Sequence, residues 1–441
     1  IKALYGVGAD TMEKILIKEE LEGAVVQLDD DSLTSDLGDS SIDASIIKFV
    51  NELLLEAIQS ETTDIHIEPF EDQLRVRYRI DGVLHQVPTP ASIRGYQPAI
   101  VSRIKIMANL NIAEKRLPQD GKIMASLGDG QYDLRVSILP TPHGETVNLR
   151  ILSRSSMYLT LDQLGFQQKD MTLFNNFIRK PHGIILVTGP TGSGKTTTLY
   201  AALAKLNDTE KKIITIEDPI EYQLKGITQM QVQPKIGFDF SIGLRSILRH
   251  DPDILLVGEI RDYETAEMAV RSSLTGHLVL STLHTNDSSG AVTRLADMGV
   301  EPFLISSTLI AVVAQRLLRQ NCPACSVNSV PEVTLLKSEF GLDLDQIDSS
   351  LLMAGNGCDA CRQTGYRGRA AIYEILPFSS TIKELTVQRA TSIAIKKQAL
   401  ADGLTTLRMA GWQRVLKGET TIEEVLRVTA DVEMLGDQAG G

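Results

Sequence analysis

Along the 441 residues, apolar positions recur with helical period in some stretches and alternate in others. Met12, Ile15 and Leu16 predict a helix within 10–22, and the acidic, Ser- and Asp-rich run from Asp29 to Ser41 reads as a linker. Helical spacing returns over 42–60 through Ile46, Ile47, Val50, Leu53, Leu54 and Ile58. Thr63 to Glu68 then alternates, with Ile65 and Ile67 on one face and Asp64, His66 and Glu68 on the other. Leu74 to Ile80 is a second alternating strand, closed by an Asp81-Gly82 turn. Its three arginines, Arg75, Arg77 and Arg79, share the face away from the core, which is either solvated or turned to an anion. A helix over 97–113 follows, then strands near 121–127, 131–139 and 145–152, with turns at 128–130 and 140–144. Residues 42–153 thus form one small α+β domain. Beyond a linker at 154–165, a helix to about 180 precedes strands and helices that alternate to about 320. That alternation predicts a mostly parallel sheet with helices on both faces. Residues 380–430 are largely helical in pattern, and no internal repeat is evident.

Composition narrows the function. With 43% apolar residues the chain can build cores for two to four domains. A net charge of -12 argues against nucleic acid as a partner. No apolar run approaches the roughly 18–20 residues that span a bilayer. The chain opens at Ile1 without a charged and then apolar leader, so no secretory signal is expected and a natural start is expected to lie upstream. The four cysteines form two Cys-x-x-Cys pairs, Cys322/Cys325 and Cys358/Cys361. Each pair offers two thiolates from one tight turn, which suits a closed, structural tetrahedral zinc site; free or redox-active thiols are the rival reading.

The densest chemistry lies in 184–198. Ile184 to Val187 is a buried-strand pattern, and Gly189-Pro190-Thr191-Gly192-Ser193-Gly194-Lys195-Thr196 follows it directly into a helix-forming run that opens with Thr197. This is a phosphate-binding loop in the strand–loop–helix context that gives the motif its meaning. Its glycines let backbone N–H groups face an anion at the positive end of the new helix. Lys195 reaches β and γ phosphates, and the Thr196 hydroxyl can ligate Mg²⁺. Nucleoside triphosphate binding follows. Two more apolar strands end in carboxylates, Ile213–Ile216 in Glu217-Asp218-Pro219-Ile220-Glu221 and Ile254–Val257 in Gly258-Glu259. Such strand ends border the ligand crevice of an open α/β sheet. Glycine stands at 258, so Glu259 is the candidate main catalytic carboxylate, able to polarise water or hold the metal through water. A further strand carries His277 and His284 at its ends, each as readily a satisfied hydrogen-bonding group as a catalytic one. Arg245, Arg249 and Arg271 lie on flanking helices and could supply positive charge.

The phosphate loop, then Ile-Glu-Asp-Pro-Ile-Glu, Gly-Glu-Ile-Arg-Asp and Thr-Gly-His-Leu-Val-Leu-Ser-Thr-Leu-His-Thr-Asn, resemble in order the Walker A, Asp box, Walker B and His box of the secretion ATPase superfamily. Thr63 to Pro69, Glu114 to Gly121 and the tetracysteine insert are similar to the branch holding type IV pilus assembly and type II secretion ATPases. The resemblance spans about 42–430. It implies a PAS-like domain over 42–153, a linker at 154–165 and a RecA-like ATPase core over 166–320. It further implies a zinc subdomain over 321–368 and a helical region over 369–441, with residues 1–41 the linker remnant of an absent N-terminal domain. It implies a cytoplasmic homohexamer that turns ATP into ADP, works with an inner-membrane platform protein, and lies peripheral to that membrane. Glu259, Glu221, Lys195, His284 and Arg271 take catalytic roles on this view, with Glu217 and Asp218 at the nucleotide. Arg135 and Arg150 are the arginines that reach a neighbouring subunit's nucleotide, and Arg116 is a further carry-over. Ile372-Tyr373-Glu374 favours pilus assembly over secretion. A RecA-like nucleic-acid translocase and a nucleotide-gated scaffold without turnover are the competing classes.

Overall fold

The computed structural model describes residues 40–127, 130–153, 159–329 and 348–433. The helix expected within 10–22, residues 29–39 of the linker expected over Asp29–Ser41, residues 154–158 of the second linker and most of one turn at 128–130 lie outside the described residues, while Ser40 and Ser41 of that first linker open a helix. The chain divides into two compact units, Ile1–Tyr158 and Leu159–Gly441.

In the first unit, helix α1 (Ser40–Gln59) precedes the hairpin strands β1 (Asp64–Pro69), β2 (Leu74–Ile80) and β3 (Val83–Val87). Helix α2 (Gln97–Met107) then leads to β4 (Gln119–Leu127), β5 (Gly130–Thr141) and β6 (Gly144–Ser153). All pairings are antiparallel, in the order β3-β2-β1-β6-β5-β4. Alternation decides the two faces. Ile65, Val76, Leu134 and Leu149 are buried with Phe49, Val50 and Leu53 of α1 and Ile100 and Ile104 of α2. Both helices therefore cover one face of the sheet, and the polar positions take the other.

Two details differ from the expected elements. Strand β3 adds a third strand to the expected pair, because Asp81 and Gly82 both adopt positive φ (49° and 84°) and turn the chain back in two residues. Helix α2 stops at Met107 rather than 113, where Asn109 enters the left-handed region at φ 57°. The Asn111 side chain then accepts from the N–H groups of Ala113 and Glu114, which holds the following loop in a non-helical turn.

The second unit begins with α3 (Gln168–Ile178) and β7 (Gly183–Thr188), followed by α4 (Lys195–Leu206), β8 (Ile213–Glu217) and β9 (Thr228–Gln231). Next come α5 (Phe240–Ile247), β10 (Ile254–Val257), α6 (Tyr263–Leu274), β11 (Leu278–Leu283), α7 (Ser288–Asp297) and α8 (Pro302–Thr308). Long strand β12 (Leu309–Asn321), the short pair β13 (Ser326–Asn328) and β14 (Met353–Gly355), and β15 (Tyr366–Pro377) complete the strands. The chain closes on α9 (Ser380–Val387), α10 (Ser392–Ala401), α11 (Leu407–Val415) and α12 (Ile422–Glu433). Seven strands share one sheet in the order β15-β12-β7-β11-β10-β8-β9, parallel except for β12 with β15.

Strands β7 and β11 are buried at every position, as a sheet covered on both faces requires. Ile184, Leu186, Val257 and Val279 pack with residues of α5, α6, α7, α9 and α10. Ile185, Val187, Leu256 and Leu280 pack with α3 and α4 on the other side. The helical region expected over 369–441 opens instead on a strand. Residues 369–377 belong to β15, because Ala371 to Leu376 are buried among cores on both of its faces and pair with β12. Helices begin only at Ser380.

Candidate functional site

Strand β7 is the spring of the site. The chain leaves it at Gly189, passes Pro190, Thr191, Gly192 and Ser193, and enters α4 at Lys195. Gly189 (φ 151°) and Gly194 (φ 86°) hold conformations that side chains rarely adopt. There is also no room: a Cβ at Gly189 would lie 2.6 Å from the Gln315 carbonyl oxygen, and one at Gly194 would lie 2.8 Å from Gln315 Nε2. Strand β12 therefore backs the loop closely. Thr198 donates its hydroxyl to Gln315 Oε1 at 2.8 Å and fastens the first turn of α4 to the same residue.

Pro190, Thr191 and Gly192 stand exposed, whereas Lys195, Thr196 and Thr197 are half-buried at the head of the helix. The Lys195 ammonium donates to the carbonyls of Gly189 (2.7 Å) and Pro190 (3.0 Å). Burial lowers its pKa to about 8, Glu259 opposes that shift, and Arg316 adds to it. Buried Ser193 Oγ has no hydrogen-bond partner among the described residues. An orphan hydroxyl, a cation and the head of a helix facing one loop suit a polyanionic phosphate chain.

The next strand ends complete the surroundings. Glu259, just beyond β10, carries a carboxylate that is mostly buried. Its Oε1 meets Arg261 Nη2 at 2.5 Å, and its Oε2 lies 3.2 Å from His284 Nε2 beyond the end of β11. Each carboxylate oxygen has a second acceptor position left for water. His277, at the other end of β11, is held by the Ser272 carbonyl (2.8 Å) and Thr275 Oγ1 (3.1 Å), so that ring serves the local turn.

Loop 284–287 is fixed to the phosphate loop's own strand. Thr285 N–H donates to Thr188 Oγ1 at 2.9 Å, and Arg316 Nη2 donates to the Asn286 carbonyl at 2.8 Å. Arg316 is a buried guanidinium that touches both loops. Neither it nor Gln315 was among the sequence candidates, and Arg261 also had no assigned role. Gln315 and Arg316 lie on β12 between the histidine-bearing strand and the first cysteine pair, so only their polarity between the apolar runs 309–314 and 317–318 could have marked them.

Other candidates are placed elsewhere or already engaged. The Glu217 carboxylate is buried; it accepts from Thr215 Oγ1 (2.5 Å) and Gln229 Nε2 (3.2 Å) and from the Tyr200 hydroxyl. It braces α4 against β8 and β9. The Glu259 hydrogen bond chiefly raises the Arg261 pKa and exposed Asp218 adds a smaller part, and half-buried Glu221 neighbours Tyr200. Arg271 pairs with Glu267 at 2.7 Å on the surface of α6, and Arg249 bonds within its own helical turn. In the first unit, the register aligns Arg79, Asp64, Arg150, Arg135 and Lys122 across five strands on the polar face. Asp64 holds Arg150 at 2.9 Å, Asp133 holds Lys122 at 2.8 Å, and Arg77 grips Glu68 with two bonds. Exposed Arg116 pairs with Glu114 at 2.8 Å.

The four cysteine sulfurs lie within 4.8 Å of one another. Three separations are 3.9, 3.8 and 3.7 Å, far beyond a disulfide bond. A tetrahedron of zinc–sulfur bonds of about 2.3 Å has edges of about 3.8 Å. Burial raises the Cys361 thiol, but backbone N–H donors from Cys358 and Gly365, together with the Cys358 and Cys325 thiols, outweigh it and bring its pKa down to about 6. The sulfur cluster thus fits a metal.

A phosphate loop on an inner strand of a mostly parallel sheet, with a carboxylate and histidine beside it, defines the protein as a phosphate-loop ATPase. The chain belongs to the Type II/IV secretion system protein family, whose model matches residues 39–427. It is 48% identical over 391 residues to the type IV pilus assembly ATPase PilB of Myxococcus xanthus, covering 88% of this chain and 68% of that one. It is 50% identical over 399 residues to type II secretion system protein E of Pseudomonas aeruginosa, covering 90% and 78%. The structure of the pilus retraction motor PilT with bound ADP superposes with a TM-score of 0.56 at 25% identity, covering 86% of this chain and 96% of that one. The Legionella pneumophila ATPase DotB shares the fold at a TM-score of 0.62 and 18% identity, covering 87% and 96%. No helix among the described residues is long and apolar enough to cross a membrane.

Proposed function

We propose that the protein is a cytoplasmic motor that hydrolyses ATP to extend a pilus at the inner membrane. The Lys195–Glu259–His284 grouping at one edge of the parallel sheet carries this reading. Ile372-Tyr373-Glu374 favours pilus assembly, and the 50% identical Pseudomonas relative favours the second reading, extension of a type II secretion pseudopilus. Restoring this chain to a strain lacking its gene separates them. Regained surface pili support the first, and regained protein export with no pili supports the second.

On this reading the chain works as a homohexamer of a PAS-like first unit and a RecA-like second unit, peripheral to the membrane and bound to a platform protein. The outer-face row of Arg79, Arg150, Arg135 and Lys122 carries four cations, with Asp64 between Arg79 and Arg150 and Asp133 beside Lys122, and this net positive balance suits it to an anion. Arg135 and Arg150 then clamp phosphate oxygens of a neighbouring subunit. Arg135→Ala is expected to lower kcat about a hundredfold, as loss of one transition-state donor does, with a smaller change in ATP affinity. Mixing these subunits with Glu259→Gln subunits should restore part of the activity, since some interfaces would then carry both intact groups. Mixed hexamers as inactive as either parent would refute assembly in trans.

Thr196 is placed to ligate Mg²⁺, which would neutralise charge on the phosphates. Zinc at Cys322, Cys325, Cys358 and Cys361 is expected at about one equivalent per chain, from the four-thiolate count. Elemental analysis of protein purified under reducing conditions checks it. Cys358→Ser should release the metal and lower Tm while ATP binding stays within about twofold, because a closed thiolate site acts through folding. The cluster lies at the far end of β12 from Gln315, on an end also held by the bond from Asn321 N–H to Glu419 O.

A further inference from the structure

Glu374 is the buried acid that the proposed mechanism leaves unused. It lies in β15, fully buried, on the face that also carries Ile372 and Leu376. Its Oε1 accepts from Ser288 N–H at 2.9 Å and from Ser288 Oγ at 2.5 Å. Its Oε2 accepts from Leu407 N–H at 3.3 Å. Ser288 is the first residue of α7, and Leu407 is the first residue of α11. One carboxylate therefore joins the positive ends of two helices from different parts of the chain.

Capping does not explain it. Asp287 already caps α7 by accepting from Gly290 N–H, and Thr406 caps α11 by accepting from Met409 N–H. The Glu374 bonds are additional to both caps, and their distinct effect is to tie one helix start to the other. A third C-terminal element converges on the same point, where Lys396 of α10 lies 3.7 Å from Asp287. On the other side of Ser288 is loop 284–287, whose His284 reaches Glu259 and whose Asn286 carbonyl is held by Arg316.

We infer that Glu374 is a positioning residue. It sets loop 284–288 from the C-terminal helices, and so fixes the His284–Glu259 pair that serves turnover. This rests on the proposed role of Glu259. A displacement of α11 would then change turnover before it changed nucleotide binding.

Glu374→Gln keeps the shape but turns an amide N–H₂ toward one of the two helix starts, where a donor would face a donor. Glu424→Gln is the control. Glu424 is an equally buried carboxylate of α12 that bonds Arg319 and Arg427 and touches no residue of the loop. In the full chain, Glu374→Gln should lower kcat about tenfold while ATP KM and ADP affinity stay within about twofold, as a small misplacement of reacting groups does. Amide hydrogen exchange over residues 284–290 should rise in parallel. Glu424→Gln should lower Tm and leave both readouts unchanged in the folded fraction. Ser288→Ala, which removes one donor and keeps the acid, should shift both readouts in the same direction by less, and it serves if Glu374→Gln does not fold. Unchanged exchange, raised exchange with unchanged kcat, or an equal effect from Glu424→Gln would overturn the inference. The exchange readout does not depend on Glu259 chemistry, so an active Glu259→Gln enzyme would refute the catalytic reading separately.

Discussion

Glu259→Gln is expected to keep ATP bound and to lose turnover by about 10³-fold, the usual range for a group that positions or deprotonates a nucleophile. The asymmetry follows from where the carboxylate acts. Glu259 adds negative charge near the phosphate loop, so it gives the bound nucleotide no attraction in the ground state. Its contribution comes when water attacks, and only interactions strengthened in the transition state raise kcat. Both oxygens are already oriented, one by Arg261 at 2.5 Å and one by His284 at 3.2 Å. That leaves each with a fixed acceptor direction for a water, at no cost of reorganisation during reaction. The Gln side chain keeps one acceptor and replaces the other with a donor, so it conflicts with either Arg261 or a protonated His284 nitrogen. Single-turnover hydrolysis against fluorescent-nucleotide binding measures the two effects separately. Normal turnover in the Gln enzyme would remove Glu259 from the mechanism.

The elements that position this site were legible because each rests on a local pattern. Buried strands such as Ile184–Val187 and Ile254–Val257 are continuous apolar runs, and the loop after the first carries its own glycine spacing. What escaped was set by tertiary partners. Arg316 and Gln315 sit between the apolar runs 309–314 and 317–318 of one strand, and their role appears only when β12 lies beside β7. Glu217 shows the converse. Its position at a strand end suggested a nucleotide contact, but Tyr200, Thr215 and Gln229 converge on its carboxylate from elements that the chain order keeps apart. Arg271 was near the right strands in sequence, yet Glu267 one helical turn away engages it on the surface.

Local chemistry was also under-read in places. Asp81-Gly82 is a two-residue hairpin signature, so β3 could have been placed from the turn alone. Asn109 tolerates the left-handed conformation better than most residues, and that preference ends α2 before its apolar pattern does. Strand β15 is harder. Ala370 to Leu376 suits either a buried helix turn or a strand, and only its pairing with β12 over ten registered positions decides between them.

Lys195→Ala is expected to have the broadest effect, abolishing turnover and weakening ATP binding together. The ammonium is the cation that the loop itself supplies, and it meets the same phosphates before and during transfer. Removing it therefore costs ground-state binding as well as the transition state, unlike the change at Glu259. The half-buried setting gives this claim a second readout. Burial has already lowered the pKa to about 8, so without nucleotide the side chain begins to lose its proton just above neutral pH. A bound polyanion favours the charged form and raises that pKa, so binding takes up a proton wherever the free enzyme is deprotonated. The sign is fixed by this: ATP affinity should fall as pH rises through about 8 and be flat below it. In Lys195→Ala the same titration should show weak binding with no inflection near that pH. Calorimetry in buffers of different ionisation enthalpy measures the proton uptake directly. Uptake that persists in the alanine variant would assign the titrating group elsewhere, and tight binding by that variant would remove Lys195 as the loop's phosphate cation.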